Sequence, residues 1–253
     1  MDNMETTQPA AAPEATAGTP SVWSRIGNVF MSPTRAFEGL QTNAGIIVTL
    51  LVVTIVLAAA SSIPSAKYQG IEQVQVLSQS TTIPPAVIEQ MRVQAQTPHY
   101  VRTGVITPIV IVIVGVIASL LYWLLGGFIF GGKRITFSQV WTVELLGGLI
   151  PMVGAVLKVP LMLAKESTMV SFGPAALFSD MGVTSIFYLA MNFLDIFAIW
   201  GMIVTGIGLS SAFAFSKGKG ITISVVVGLA FIAFMLGLAV FGMSMAGVKM
   251  TFF

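Results

Sequence analysis

Residues 104–130 read GVITPIVIVIVGVIASLLYWLLGGFIF, a stretch of 27 residues without a charged side chain. About 20 apolar residues are enough for a helix to cross the hydrocarbon core of a bilayer. The many Val and Ile residues would favour a β-strand in water, but in lipid every backbone amide must be satisfied within the segment. The stretch therefore predicts a membrane-spanning helix.

Four similar stretches lie on either side of this one, at residues 44–63, 137–163, 183–212 and 221–247. The stretch at 183–212 is longer than a bilayer requires, so we expect it to tilt or to project. Glycines and prolines interrupt the third span, which predicts a kinked or broken helix. The predicted fold is all-α: a polytopic helical bundle with five transmembrane helices and short interfacial helices before them.

The composition of the whole chain agrees with a membrane domain at residues 44–249. Of the 253 residues, 55% are hydrophobic and 9% are charged, and the mean hydropathy is +0.91. Soluble domains carry about 25% charged residues. The chain has no Cys and one histidine, His99, so a disulfide framework, a Cys-ligated metal site and a two-histidine site are excluded. No long basic run predicts nucleic-acid binding.

The N-terminal region divides into two parts. Residues 1–21 are rich in Ala, Thr and Pro and lack the pattern of a signal peptide, so we expect a disordered cytosolic tail. Residues 22–43 predict two short amphipathic helices at the membrane surface, with Ser24, Arg25 and Asn28 away from the apolar face. That face comprises Val22, Trp23, Ile26, Val29 and Phe30. The alternative is a loop that packs on the bundle.

Lys and Arg are equally numerous on the two sides of the predicted bundle, so their number does not decide its orientation. Four of them lie in tight turns beside the spans: Lys133, Arg134, Lys217 and Lys219. We expect these four to contact lipid headgroups. Because these cations lie together in tight turns next to the spans, they favour an orientation with the N-terminus in the cytoplasm, in the inner membrane of a cell. The neighbouring glycines are interpreted as turn residues rather than as a phosphate-binding loop.

Three ionisable residues lie inside apolar spans: Glu144, Lys158 and Asp195. A charge in the hydrocarbon costs about 2.5–3.5 kcal/mol, so such residues usually face the bundle interior. The helical rise places Lys158 and Asp195 at similar depth and predicts an ion pair that Glu144 cannot reach. The alternative is that Lys158 extends to the interface while Asp195 bonds Asn192. Trp200 is predicted to lie in the bundle interior with Glu144 and Asp195.

The sequence gives no support for an enzyme, because no nucleophile lies beside a base and no metal-ligand or cofactor-binding spacing occurs. We expect a membrane organiser or an adaptor that binds a protein partner through its N-terminal region. A broken third helix with Glu144 leaves a small transporter or a lipid-handling protein as the alternative. Small residues four apart permit a homo-oligomer. These pairs are Gly127/Gly131, Ser224/Gly228, Ala233/Gly237 and Gly242/Ala246.

Three segments resemble one known family. They are residues 30–40, FMSPTRAFEGL; residues 131–151, GGKRITFSQVWTVELLGGLIP; and residues 194–209, LDIFAIWGMIVTGIGL, followed by SKGK at 216–219. Their order and spacing resemble the Yip-domain membrane proteins, and the prokaryotic branch in particular. The resemblance implies a five-span bundle, a cytosolic N-terminus and no known enzymatic activity. The eukaryotic branch is implicated in vesicle trafficking and in binding Rab-type GTPases, but its acidic-aromatic-Gly-Pro motif is not found in this chain.

Overall fold

The structure is a computed structural model that describes residues 20–40 and 42–252, apart from the side chain of Ser179. Most of the predicted tail, 1–21, lies outside the described residues. The α-helices in the described part of the chain are α1 (Val22–Met31), α2 (Pro33–Ala36), α3 (Ala44–Ser61), α4 (Gly70–Leu77), α5 (Pro85–Ala95), α6 (Tyr100–Leu124), α7 (Phe137–Lys165), α8 (Ile186–Phe193), α9 (Ile196–Phe213) and α10 (Lys217–Met245).

Five of these helices are long and apolar enough to cross a membrane: α3, α6, α7, α9 and α10. A π-helical turn, Leu125–Ile129, prolongs α6, so that the apolar helix runs without interruption from Tyr100 to Ile129. The described residues contain no β-strand, only an isolated bridge between Ser185 and Thr251. The predicted fold class, an all-α polytopic membrane bundle with five spans, is confirmed.

The predicted break in the third span is absent, because α7 is one continuous helix from Phe137 to Lys165. Pro151 and Pro160 lie inside it. A proline removes one backbone hydrogen bond, and membrane helices tolerate that loss where a neighbouring helix packs closely. Gly201 of α9 provides such a contact, because a Cβ atom at this glycine would lie 2.9 Å from Cδ of Pro151.

The interruption lies instead in the predicted fourth span, 183–212, which forms two helices. Helix α8 ends at Phe193, and α9 begins at Ile196 after Leu194 and Asp195 leave the helical conformation. Oδ1 of Asp195 accepts a hydrogen bond of 2.8 Å from the backbone N–H of Phe197. Asp is among the preferred N-cap residues because its carboxylate satisfies a free backbone donor. Asp195 therefore lies at the start of the fourth span and not at its middle.

Helix α9 packs most closely against its neighbours, through glycines that the predicted small-residue pairs do not include. A Cβ atom at Gly206 would lie 2.4 Å from Cα of Ile221, and one at Gly147 would lie 2.0 Å from Oγ1 of Thr205. Of the predicted pairs, Gly228 contacts the side chain of Met202. A Cβ atom at the other four glycines of those pairs would meet no described atom within 4 Å: Gly127, Gly131, Gly237 and Gly242.

Candidate functional site

Helices α1 and α2 are anchored to one end of the bundle, called the N-terminal end below. The side chain of Phe37 is fully buried, and its ring lies against Gly208 of α9. Oγ of Ser211 donates a hydrogen bond of 3.1 Å to the carbonyl oxygen of Phe37. Val29 of α1 is also fully buried. The N-terminal helices are therefore held on the bundle by apolar burial and by a specific hydrogen bond.

Arg25 lies on the buried side of α1, whereas the sequence predicted it away from the packed face. Its guanidinium donates hydrogen bonds to the carbonyl oxygens of Ala36 at 2.6 Å, Glu38 at 3.1 Å and Gly39 at 3.1 Å. These carbonyls lie where α2 ends and lack helical partners. Burial lowers the pKa of Arg25, but a guanidinium stays charged in proteins. The spacing of Arg25 and Val29, one helical turn apart, was the available sequence signal for a shared face.

Helix α1 presents three different faces. Arg25 and Val29 face the bundle. Trp23 and Phe30, seven residues apart on a second face, are 65% and 40% exposed. Met31, the last residue of α1, is 89% exposed on the side of Ser24. Ser24 and Asn28 form a polar edge, with Nδ2 of Asn28 3.4 Å from Oγ of Ser24. One face, with Arg25 and Val29, is therefore packed on protein, while the apolar face of Trp23 and Phe30 is left open.

The four predicted headgroup cations lie at the same N-terminal end as α1 and α2. Nζ of Lys217 lies 3.5 Å from Oγ1 of Thr34 in α2. Nζ of Lys219 donates to the carbonyl oxygen of Phe130 at 2.8 Å and lies 4.3 Å from the ring centre of Phe215. The backbone N–H of Lys133 donates to the carbonyl oxygen of Phe213 at 2.9 Å. Lys217 and Lys219 lie in the first turn of α10 and not, as predicted, in a turn before it. The contacts of Lys219 and Lys133 join the α6–α7 turn to the end of α9 and the start of α10.

The N-terminal end is strongly basic within the described residues. Its exposed cations are Arg35, Lys133, Arg134, Lys217 and Lys219, and its exposed carboxylate is that of Glu38. At the opposite end, exposed or partly exposed carboxylates stand among the cations: Glu72, Glu89, Glu166 and Asp180. Counting Lys and Arg alone shows no difference between the two sides. Among the described residues, the difference in charge between the two ends therefore comes from the carboxylates; Asp2, Glu5 and Glu14 lie outside the described residues and are not part of this comparison.

The predicted contact between Lys158 and Asp195 is present at the opposite end of the bundle. Nζ of Lys158 lies 2.7 Å from Oδ2 of Asp195, and both side chains are largely buried. Oδ2 also accepts a hydrogen bond of 3.2 Å from the backbone N–H of Phe172. The alternative, an extended Lys158 with Asp195 bonded to Asn192, is not the observed conformation. The pair ties α7 to the start of α9 and to the connection between them.

A second set of hydrogen bonds at the opposite end, made by Glu72, was not predicted from the sequence. Glu72 of α4 accepts hydrogen bonds from Oγ of Ser167 at 2.6 Å and from the backbone N–H of Thr168 at 2.7 Å. The hydroxyl of Thr168 also donates to this carboxylate. Residues 64–99 are therefore fastened to the end of α7. A glutamate in a polar stretch carries no sequence signal for such a partner 95 residues away.

Glu144 lies in α7 and lines a cavity of about 490 Å³ between the spans. The prediction that Trp200 lies in the bundle interior is wrong, because this side chain is 40% exposed on the outer surface of α9. The buried side of α9 is occupied instead by small residues, including Gly201 and Gly208. Of the three predicted interior residues, Glu144 and Asp195 thus face other helices, and Trp200 faces outward.

Comparisons with known proteins complete the description. No curated protein and no solved structure matches the chain. A family comparison matches the Yip1 domain over residues 27–239, from within α1 to within α10, so that all five candidate spans are included wholly or in large part. This match agrees with the resemblance seen in the sequence. The chain is a multi-pass membrane protein that belongs to the Yip1 domain family.

Proposed function

We propose that this protein is a non-enzymatic membrane organiser whose N-terminal end binds the anionic headgroups of one leaflet, with α1 in the membrane interface. The observation that carries the proposal is the open apolar face of α1, formed by Trp23 and Phe30, at the same end as five exposed cations. Aromatic and apolar side chains beside Lys and Arg are typical of helices that lie in the interface.

The three faces of α1 match three surroundings. The face of Arg25 and Val29 packs on protein. The face of Trp23 and Phe30 gains free energy when lipid replaces water, because burial of apolar surface is favourable. The edge of Ser24 points to headgroups and water. A basic residue near an anionic surface adds about 1 kcal/mol of attraction, so the cations of the N-terminal end strengthen this placement.

We further propose that the N-terminal end faces the cytoplasm, in the inner membrane of a cell. Cations at the ends of spans and in the short connections between them are retained on the cytoplasmic side, and the cytoplasmic leaflet carries negative charge. Because the chain has no Cys, single cysteines report sidedness directly. In right-side-out vesicles an impermeant maleimide should label Gln79→Cys and spare Gly218→Cys, and inside-out vesicles should reverse the pattern. Labelling of Gly218→Cys in right-side-out vesicles would overturn this orientation.

Headgroup binding is tested by the electron spin resonance of spin-labelled phosphatidylglycerol and phosphatidylcholine around the reconstituted protein. We expect phosphatidylglycerol to be preferred. Replacing four cations of the N-terminal end by Gln should remove most of this preference for phosphatidylglycerol. These cations are Lys133, Arg134, Lys217 and Lys219. Neutralising four cations of the opposite end, Lys67, Arg92, Lys165 and Lys249, is the matched control and should matter less, because carboxylates share that surface. Equal loss in both variants would contradict the proposal.

An adaptor that binds a protein through the same face is the second candidate, because an open apolar face also suits a partner. The two candidates differ in what covers Trp23 and Phe30: lipid for an organiser, water until a partner arrives for an adaptor. A homo-oligomer remains a proposal for the outer surface, where Gly237 and Gly242 stay uncovered. The remaining alternative, a small transporter or a lipid-handling protein, was based on a broken third helix and on Glu144. Helix α7 is continuous, whereas Glu144 lines a cavity between the spans.

A further inference from the structure

The cavity beside Glu144 is a separate feature of the fold, in the apolar interior of the bundle. It lies among α6, α7, α9 and α10, and its volume of about 490 Å³ is in the range of small-molecule sites. Two of its lining residues, Val110 of α6 and Phe231 of α10, are exposed on the outer surface. The cavity therefore opens sideways, toward the lipid that surrounds the spans.

Most of the lining is apolar, but one part of it is polar. Thr54, Tyr122, Trp141, Glu144 and Thr205 come from four different spans and all line the cavity. Within the described part of the chain, no residue forms a hydrogen bond or an ion pair with the Glu144 carboxyl group, and the intramembrane Lys158 is engaged by Asp195. Nε1 of Trp141 is buried without a hydrogen-bond partner.

Unpartnered polar groups in an apolar medium are costly, and membrane proteins usually give them partners. A carboxyl group in this position is satisfied by a hydrogen-bond donor that enters with an apolar chain. Burial of a second charge is not needed, since a neutral donor avoids its desolvation. The sideways opening restricts the source of such a donor to molecules dissolved in the membrane.

We propose that the cavity binds a membrane lipid whose apolar chain fills the space between α6 and α10 and whose headgroup donates a hydrogen bond to Glu144. Diacylglycerol supplies such a donor as a neutral hydroxyl. Phosphatidylethanolamine supplies it as an ammonium group, whose charge pairs with the carboxylate form of Glu144. Phosphatidylcholine with the same chains lacks a donor in its headgroup. The site therefore selects lipids whose headgroup carries a hydrogen-bond donor close to the acyl chains. This selection does not depend on the anionic headgroups bound at the N-terminal end.

The test uses the full chain in detergent with Trp141 as its only tryptophan, through Trp23→Phe, Trp123→Phe and Trp200→Phe. Lipids brominated on their chains quench a tryptophan that they contact. We expect saturable quenching by brominated diacylglycerol or phosphatidylethanolamine, and about tenfold weaker binding of brominated phosphatidylcholine, as for the loss of one hydrogen bond. Glu144→Leu should weaken the binding of lipids with a headgroup donor to the level of phosphatidylcholine. Glu144→Gln should retain their binding, because its amide oxygen still accepts a hydrogen bond.

Two glycine variants test whether the lipid occupies this cavity. Gly148 lines the cavity, and a Cβ atom there meets no described atom within 4 Å, so Gly148→Leu fills the space without a backbone clash. Gly237→Leu is the matched control, because Gly237 is equally open and does not line the cavity. We expect Gly148→Leu to abolish saturable quenching and Gly237→Leu to leave it unchanged.

Native mass spectrometry of the protein with all four tryptophans gives the same comparison if the triple replacement proves unstable. Equal binding of the three lipids, unaffected by Glu144→Leu, would overturn the proposal and reduce the cavity to unselective lipid packing. Retained quenching in Gly148→Leu would overturn it as well. So would a dimer whose formation excludes the brominated lipid, because a second copy would then cover the opening. None of these variants alters the cations of the N-terminal end.

Discussion

Helices α6 and α9 are both apolar enough to span a membrane, yet α9 lies in the interior of the bundle and α6 lies on its outer surface. In the most apolar 18-residue segment of each helix, 44% of the residues of α9 are buried inside the bundle and 11% of those of α6. Helix α9 carries glycines at its contacts with α7 and α10, whereas α6 carries mainly Val, Ile and Leu. Since lipid is as apolar as these side chains, close packing by small residues decides which helix is central.

A substitution that forces α9 and α10 apart should have the largest effect on the stability of the bundle. Gly206→Leu places a side chain where even a Cβ atom would lie 2.4 Å from Cα of Ile221. We expect a loss of more than about 3 kcal/mol, above the usual range for overpacking, because backbone must move. Monodispersity and unfolding temperature in detergent measure it. Gly242→Leu in α10, where the space is open, should behave as the wild type; equal damage would contradict the packing described.

The ion pair at the opposite end should give the next largest effect. Lys158→Met leaves Asp195 largely buried without its cation, and we expect a loss of about 3 kcal/mol. The double variant Lys158→Met/Asp195→Asn removes both charges, and Asn retains an N-cap oxygen for Phe197. It should therefore recover most of the stability in the same unfolding measurement. No recovery in the double variant would show that the pair contributes nothing beyond the two separate side chains.

A smaller effect is expected where α1 is fastened to the bundle. Arg25→Gln cannot reach the three carbonyl oxygens that the guanidinium binds. We expect a loss of about 1–3 kcal/mol, localised to residues 22–40, because buried carbonyls are left unpaired. Hydrogen exchange should rise in α1 and α2 and stay unchanged in α7. Arg35→Gln, at an exposed position, serves as the control; equal exchange in both variants would refute the anchoring role.

The smallest effect is expected at Trp200, on the outward face of α9. Trp200→Leu should change the unfolding temperature little, within about 0.5 kcal/mol, as for surface positions without specific partners. Phe37→Ala is the contrasting variant, because Phe37 is fully buried against Gly208. It should cost about 3–5 kcal/mol. A large loss for Trp200→Leu would mean that this side of α9 is covered in the native protein.

The five spans follow from the sequence because long apolar segments have few solutions in lipid. The ion pair follows because Lys158 and Asp195 are costly in hydrocarbon and the helical rise places them at similar depth. Details that depend on neighbouring helices do not follow. Pro151 and Asp195 have opposite outcomes: the proline stays inside a helix because Gly201 packs against it, and the aspartate ends one helix and caps the next. The charge of Arg25 led to its prediction on the polar side, since the sequence does not show that the carbonyls of Ala36, Glu38 and Gly39 require a donor.

The cavity beside Glu144 was equally hidden from the sequence. The glutamate itself stands out in an apolar span, and its distance from Lys158 predicted that the two would not pair. Its polar companions come from spans far apart in the chain, such as Thr54 and Thr205. No local pattern brings such residues together, and only the packing of the helices leaves the space between α6 and α10 open.

The central claim, that α1 lies in the membrane interface, is tested most directly by spin labels at single cysteines along α1 in reconstituted bilayers. Labels at Trp23 and Phe30 should be more accessible to oxygen, which concentrates in lipid, than to a water-soluble nickel chelate. The label at Ser24 should show the reverse. If all three positions are equally accessible to the chelate, α1 lies in water and the proposed organising role is contradicted.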